Sequence, residues 1–247
     1  MPKLCLNKTL IKFKKGFDRN PKKAFVRNSL KFCTMKQIMS FLTIAVLSLS
    51  SCAQKNQVAE KKSKSPDELN KYQIAYFGSG CFWCVEAIYE SVKGVVEVES
   101  GYSGGHVENP SYEDVCTGTT GHAETVKIYY DSSIVSYDEL LKGFYDSHDP
   151  TTLNKQGPDM GTQYRSAIFY QNDYEREHAK AYIKQLLDSK KFPTITTEVS
   201  RFTAFYKAEE YHQNFECRNP NNGYVKAVSQ PRLEQFKIKA PEMLKEK

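Results

Sequence analysis

Residues 73–84 read Gln73-Ile74-Ala75-Tyr76-Phe77-Gly78-Ser79-Gly80-Cys81-Phe82-Trp83-Cys84. The first six form a strand that leads into a Gly80-Cys81 turn. After it, Val85, Ile88 and Tyr89 fall at helical spacing, so a helix runs to about Ser91. Cys81 then stands at a helix N-terminus, where unpaired N–H groups and the helix dipole favour thiolate over thiol. Cys84 lies three positions on, on the same helix face, and can reach Cys81. One sulfur can attack while the other closes a disulfide behind it. Phe82 and Trp83, the latter the one tryptophan of the chain, set an aromatic wall beside these sulfurs. Such a wall suits a small apolar substrate group.

Outward from this unit, strands and helices alternate irregularly. Val95 to Ser100 is a second strand, and Gly101 to Asp114 is a loop rich in Gly, Ser, Asn and Pro. Ala123 to Tyr130 is a strand. Ser136 with Glu139 forms a capping box that opens a helix with Leu140, Leu141 and Phe144 inward, stopped by His148-Asp149-Pro150. A polar loop runs from Thr151 to Gln163, followed by a strand from Tyr164 to Tyr170. Asn172 with Glu175 opens another helix, and Thr194 to Val199 alternates as a half-buried strand. The pattern predicts a single two-layer α+β domain, a mixed β-sheet with packed helices, over residues 72–232.

The formal charge of +6 misleads. Residues 1–34 hold ten Lys or Arg against Asp18 alone, so the remainder carries a net −3. The folded part therefore gives no support for nucleic-acid binding. Residues 1–34 read as an over-extended, disordered N-terminus, with the true start at Met35 or Met39. Residues 35–51 read as a lipoprotein-type signal peptide: Lys36, an apolar run from Ile38 to Leu49, then Leu49-Ser50-Ser51-Cys52. On this reading Cys52 is lipidated and anchors the protein to the membrane of a bacterial cell envelope, facing the periplasmic side. The alternatives are a plain secretory signal or a buried apolar helix. Residues 52–71 read as the anchor and a disordered tether, and 233–247 as a charged C-terminal tail. Cys81, Cys84, Cys116 and Cys217 remain for the mature domain, too few for a disulfide scaffold of this size.

In the strand Ala123–Tyr130, Glu124 shares its face with Val126, Ile128 and Tyr130. A carboxyl there is partly desolvated, holds its proton near neutral pH and can act as an acid; the alternative is an exposed Glu at a frayed strand end. By themselves Tyr112 and Tyr164 read as surface aromatics, Asp159 as a turn residue and Cys116 as a small buried hydrophobe. His122, His148 and His212 lack metal-ligand spacing with the cysteines, so no metal site is expected.

Several motifs in order now resemble one family. They are Gly80-Cys81-Phe82-Trp83, Gly101-Tyr102-Ser103-Gly104-Gly105, Pro110-Ser111-Tyr112, Thr117 to Glu124, His148-Asp149-Pro150, Gly161-Thr162-Gln163-Tyr164-Arg165-Ser166, and Ala208-Glu209-Glu210-Tyr211-His212-Gln213. Together they resemble the A-type peptide methionine sulfoxide reductases over about residues 73–227. The resemblance implies a sandwich related to the ferredoxin-like fold. It also implies thiol-dependent reduction of methionine (S)-S-oxide, in proteins and as the free amino acid, with repair of oxidised proteins as the outcome. It makes Cys81 the nucleophile, Phe82 and Trp83 the wall for the substrate methyl group, and Glu124 the acid. Tyr112 and Tyr164 become hydrogen-bond donors to the sulfoxide oxygen, and Asp159 a pocket acid. No bound cofactor is implied; an external dithiol such as thioredoxin or a thioredoxin-like protein regenerates the enzyme, which is expected to be a monomer.

The chain departs from the family pattern at two places. Many members have Gly where this chain has Cys84, and many carry a resolving cysteine after a C-terminal Gly-Tyr. Here that segment is Asn222-Gly223-Tyr224-Val225. Cys84 is the first candidate for the resolving role, Cys217 the second and Cys116 the third. A rival enzyme class is a thiol–disulfide oxidoreductase using Cys81 and Cys84, which needs neither Glu124 nor the tyrosines. A non-catalytic rival is a metal- or partner-binding lipoprotein domain.

Overall fold

The structure, a computed structural model, describes residues 64–246. The expectations for residues 1–34, the signal segment 35–51 and Cys52 lie outside the described residues. In chain order the helices are α1 (Pro66–Leu69), α2 (Phe82–Glu90), α3 (Tyr112–Cys116), α4 (Tyr137–Ser147), α5 (Asp173–Asp188), α6 (Phe215–Arg218) and α7 (Gln230–Lys239). The strands are β1 (Gln73–Ser79), β2 (Val95–Ser103), β3 (Ala123–Tyr130), β4 (Lys155–Gln156), β5 (Asp159–Met160), β6 (Ser166–Tyr170), β7 (Glu198–Arg201) and β8 (Phe205–Lys207).

Six strands form one sheet in the order β7-β6-β1-β3-β2-β8, and β4 pairs with β5 as a small hairpin. All pairings in the large sheet are antiparallel except β6 with β7, so the sheet is mixed as expected. Its central four strands, β6-β1-β3-β2, are linked through α2 and α4 in the order strand–helix–strand–strand–helix–strand. That is the split arrangement of ferredoxin-like sandwiches, with β3 between β1 and β2. Alternation along β1 sorts the two faces: Ala75 and Phe77 enter the main core, and Tyr76 joins a smaller cluster on the opposite face with Ala123, Ala167 and Phe169. There Tyr76 stacks on Phe202 at 4.0 Å. The main core holds Ile88 and Tyr89 of α2, Leu140, Leu141 and Phe144 of α4, Leu186 of α5 and Phe236 of α7.

Three sequence boundaries are corrected. The expected tether is ordered at its end, because Ser65 and Glu68 form a capping box around α1 and Leu69 is buried. The stretch expected as a loop from Gly101 continues β2 to Ser103 and later forms α3, whose capping box is Ser111 with Asp114. The charged tail is not a tail. Phe236, Ala240 and Met243 are buried, and Leu244 bridges to Val92. Leu233, Phe236, Ala240 and Met243 recur at helical spacing, a stripe that the surrounding lysines and glutamates obscure.

Candidate active site

The site is built where β1 ends and α2 begins. Gly80 turns the chain with φ of +88°, in the left-handed region that favours glycine. A Cβ there would also meet Gln156 Cβ at 2.6 Å. Cys81 caps α2, and the Cys84 amide donates back to the Cys81 carbonyl at 3.1 Å. Both sulfurs face inward: Cys81 is 7% exposed and Cys84 1%.

Glu124 arrives from β3, opposite Tyr102 in register, on the face shared with Val126 and Ile128. It is 2% exposed and accepts a hydrogen bond from the Phe82 amide at 2.9 Å. The frayed-end alternative is thereby removed. Burial pushes the Glu124 carboxyl well above the ordinary range, and the nearby acids Asp159 and Cys84 push the same way against the Phe82 hydrogen bond. A carboxylic acid held protonated here is hydrogen-bonded to the amide of the residue that follows Cys81.

Tyr112 and Tyr164 are both buried, not surface aromatics. Burial holds both phenols well above their usual value, and any ionisation of Glu124 would raise them further, so each keeps its proton and remains a donor. Tyr112 is fixed through its amide, which donates to Glu209 Oε1 at 2.9 Å; Tyr102 Oη donates to the other oxygen of Glu209 at 3.0 Å. The aromatic wall is equally fixed. Trp83 stacks on Phe215 at 3.6 Å, and its indole N–H donates to His212 Nδ1 at 3.1 Å. His212 must then be neutral, and burial lowers it to about 4. Phe82 packs against Tyr102 and against His212.

The thiols differ from the sequence expectation. Cys81 is favoured as a thiolate by its helix N-terminus alone. In the folded site, burial, a hydrogen bond to Cys84 and the acids Cys84, Glu124 and Asp159 raise the Cys81 thiol. Cys84 is lowered to about 7, first by the hydrogen bond with Cys81 and then, against burial, by Arg232, Ser229 and Tyr224. The two thiols therefore titrate as a pair, their hydrogen bond lowering Cys84 and raising Cys81.

Asp159 does more than make a turn. From β5 it accepts the Tyr224 hydroxyl at 2.5 Å, and that hydroxyl lies 3.9 Å from Cys84 Sγ. Cys217 is exposed on α6 and lines a surface cavity of about 310 Å³ with Trp83, Glu86 and Leu233; neither Cys81 nor Cys84 lines it. Cys116 is half-buried against the core. Sequence reasoning gave no role to Glu209, His212, Tyr224, Ser229 or Arg232. Glu209 and His212 lay inside a quoted motif, and Tyr224 inside the Gly-Tyr segment, so position was the available signal.

A buried dithiol at a helix start, beside a protonated carboxyl and two phenols, is the equipment of a thiol-dependent reductase. The comparisons with known proteins agree. A sequence model of the family described as peptide methionine sulfoxide reductase matches residues 73–244. The peptide methionine sulfoxide reductase MsrA of Saccharolobus solfataricus is 50% identical over 173 residues, covering 70% of this chain and 97% of that protein. The MsrA of Acinetobacter baumannii is 47% identical, covering 70% of this chain and 99% of that protein. Among solved structures, reduced Mxr1 from Saccharomyces cerevisiae superposes with a TM-score of 0.58 at 31% identity, covering 66% of this chain and 92% of that one. Methionine sulfoxide reductase A of Corynebacterium diphtheriae does so with a TM-score of 0.54 at 36% identity, covering 61% and 76%. The chain belongs to the peptide methionine sulfoxide reductase family, and its activity is the thiol-dependent reduction of methionine sulfoxide that repairs oxidised proteins.

Proposed function

We propose that this enzyme reduces the S epimer of methionine sulfoxide, in proteins and as the free amino acid, through Cys81 and Cys84. The observation that carries the reading is the buried Glu124 carboxyl, hydrogen-bonded to the Phe82 amide at the start of the helix that holds both sulfurs. A sulfoxide oxygen accepts attack at its sulfur only once protonated. Glu124 supplies that proton while Tyr112 and Tyr164 hold the oxygen. Phe82 and Trp83 receive the methyl group. As Cys81 attacks the sulfoxide sulfur, its own proton passes to Cys84 along their hydrogen bond. Methionine departs, the oxygen stays on Cys81 as a sulfenic acid, and the sulfoxide has been reduced by two electrons. Cys84 then displaces that oxygen as water and forms the disulfide. An external dithiol of the thioredoxin class reduces it by exchange.

The lipid anchor at Cys52, a membrane partner and a periplasm-facing envelope location belong to the same proposal. Their support is the apolar run from Ile38 ending in Leu49-Ser50-Ser51-Cys52. Mass spectrometry of membrane-extracted protein then finds a diacylated Cys52 at the N-terminus, and Cys52→Ala releases the enzyme from the membrane. An unmodified Cys52 inside a longer chain contradicts the anchor. For the activity, dithiothreitol-supported turnover of separated epimers of a sulfoxide peptide is the test. The S epimer turns over and the R epimer does not; turnover of protein disulfides that survives Glu124→Gln would favour the oxidoreductase rival instead.

A further inference from the structure

The C-terminal segment folds directly onto the thiol pair. Tyr224, the last residue of the Gly-Tyr segment, brings its hydroxyl to 3.9 Å from Cys84 Sγ. The chain then makes a π-helical turn, Val225–Ser229, before entering α7. Such turns are rare and concentrate at functional sites. This one carries Ser229 into full burial beside Cys84, where its hydroxyl also hydrogen-bonds Glu216 of α6. One helical turn later, half-buried Arg232 is held at two points. Its Nε donates to the Ser147 carbonyl at 2.7 Å and its Nη2 to Ser79 Oγ at 3.2 Å. A Cβ at Gly80 would lie 3.4 Å from its Nη1, so the guanidinium rests along the turn that presents Cys81.

We propose that Tyr224, Ser229 and Arg232 are positioning residues for disulfide closure, together holding the Cys84 sulfur aimed at Cys81 with the Arg232 cation along the turn that presents it. This rests on the reading of Cys84 as the resolving cysteine. The titratable and charged groups around Cys84 are Cys81 from the turn, Glu124 from β3, Asp159 from β5, Tyr224 and Arg232 from the C-terminal segment, and Glu216 behind Ser229. Where ionised, these carboxyls oppose a thiolate. Arg232 and the hydrogen bond from Cys81 favour it; the Tyr224 and Ser229 hydroxyls, whose protons go to Asp159 and Glu216, shape the pocket around the sulfur. In the chemical step the Cys84 thiolate attacks the sulfenic sulfur of Cys81. The S–S bond forms, the S–O bond breaks, and the departing hydroxide takes a proton to leave as water. The Cys84 sulfur is oxidised and the Cys81 sulfur reduced. The Gly-Tyr segment, which here continues into Val225 and not into a cysteine, thus supports a resolving thiol that it does not itself carry.

The test is a single turnover of the full-length enzyme with an S-sulfoxide peptide and no reductant, quenched over time between about pH 5.5 and 9. Released methionine peptide and remaining thiols are counted in the same samples, so closure is referenced to the preceding step. In wild type, closure accelerates with rising pH as Cys84 ionises, and the midpoint of that rise is the reference. In Arg232→Met that midpoint moves up by about one unit, and closure relative to release slows about tenfold at pH 6. Arg232→Lys restores it, whereas Tyr224→Phe, which removes the hydroxyl beside Cys84 but no donor to it, slows closure without moving the midpoint that way. A closure midpoint in Arg232→Met equal to that of wild type overturns the proposal. The Cys84→Ser variant keeps the two failures apart. If it still loses two thiols, the resolving assignment itself is wrong; if it stalls after one and the Arg232→Met midpoint is unmoved, the positioning role alone is wrong.

Discussion

Glu124 shows how one side chain can serve chemistry at the expense of stability. Its carboxyl is buried and its pKa raised, so the folded state keeps a proton that the unfolded chain has given up. Stability therefore falls as pH rises above the ordinary value of 4.5, where folded and unfolded states begin to differ. Glu124→Gln keeps an acceptor for the Phe82 amide and removes the titration. Its Tm should exceed that of wild type by a margin that widens from about pH 5 to pH 8; a margin independent of pH contradicts the protonated-acid reading. The same variant loses about 10²- to 10⁴-fold in kcat/KM because a neutral amide donates no proton to the sulfoxide oxygen. Cys81, Cys84, Phe82 and Trp83 were legible as a local motif, and Glu124 half-legible from strand alternation. Arg232 was not, because it reaches the site only through the fold: its partners Ser79 and Ser147 are distant in sequence.

Among the elements, the capping boxes were the clearest signals. Ser136 accepts from the Glu139 amide while Glu139 Oε2 accepts from the Ser136 amide at 2.8 Å, and α4 begins where that pattern predicts. Ser136→Ala should cost about 1 kcal/mol, seen as a Tm lower by about 3 °C with kcat unchanged. The C-terminal helix was hidden by its charges. Its buried Phe236 makes α7 a core element, so Phe236→Ala should cost about 3–5 kcal/mol in urea unfolding. A cost under about 1 kcal/mol would return residues 233–247 to the status of a tail. β8 and α6 were missed because each is too short for periodicity to speak. β8 is held by the close pass of Gly101, where a Cβ would meet Phe205 at 2.4 Å.

At the scale of the whole molecule, the sheet delivers Glu124 and Tyr102, helix α2 the two thiols, and the C-terminal segment their surroundings. The family model matches residues 73–244, and the alignment with one relative, over 173 residues, covers 97% of that protein. A chain starting at Lys64 should therefore retain dithiothreitol-supported activity within about twofold, whereas one ending at Arg232 should lose both activity and cooperative unfolding. A mixed sheet with packed helices was within reach of the sequence; the order of its strands and the closure of residues 224–244 over the site were not, since both depend on contacts made across the chain.

The most direct test of the account is the thiol count after one turnover of an S-sulfoxide peptide without reductant, in wild type and Cys84→Ser. Wild type should lose two thiols and contain a Cys81–Cys84 disulfide by peptide mapping, while Cys84→Ser should release one equivalent of methionine and stall with Cys81 as a sulfenic acid. Loss of two thiols in Cys84→Ser, with Cys81 joined to Cys217 or another cysteine, would contradict it.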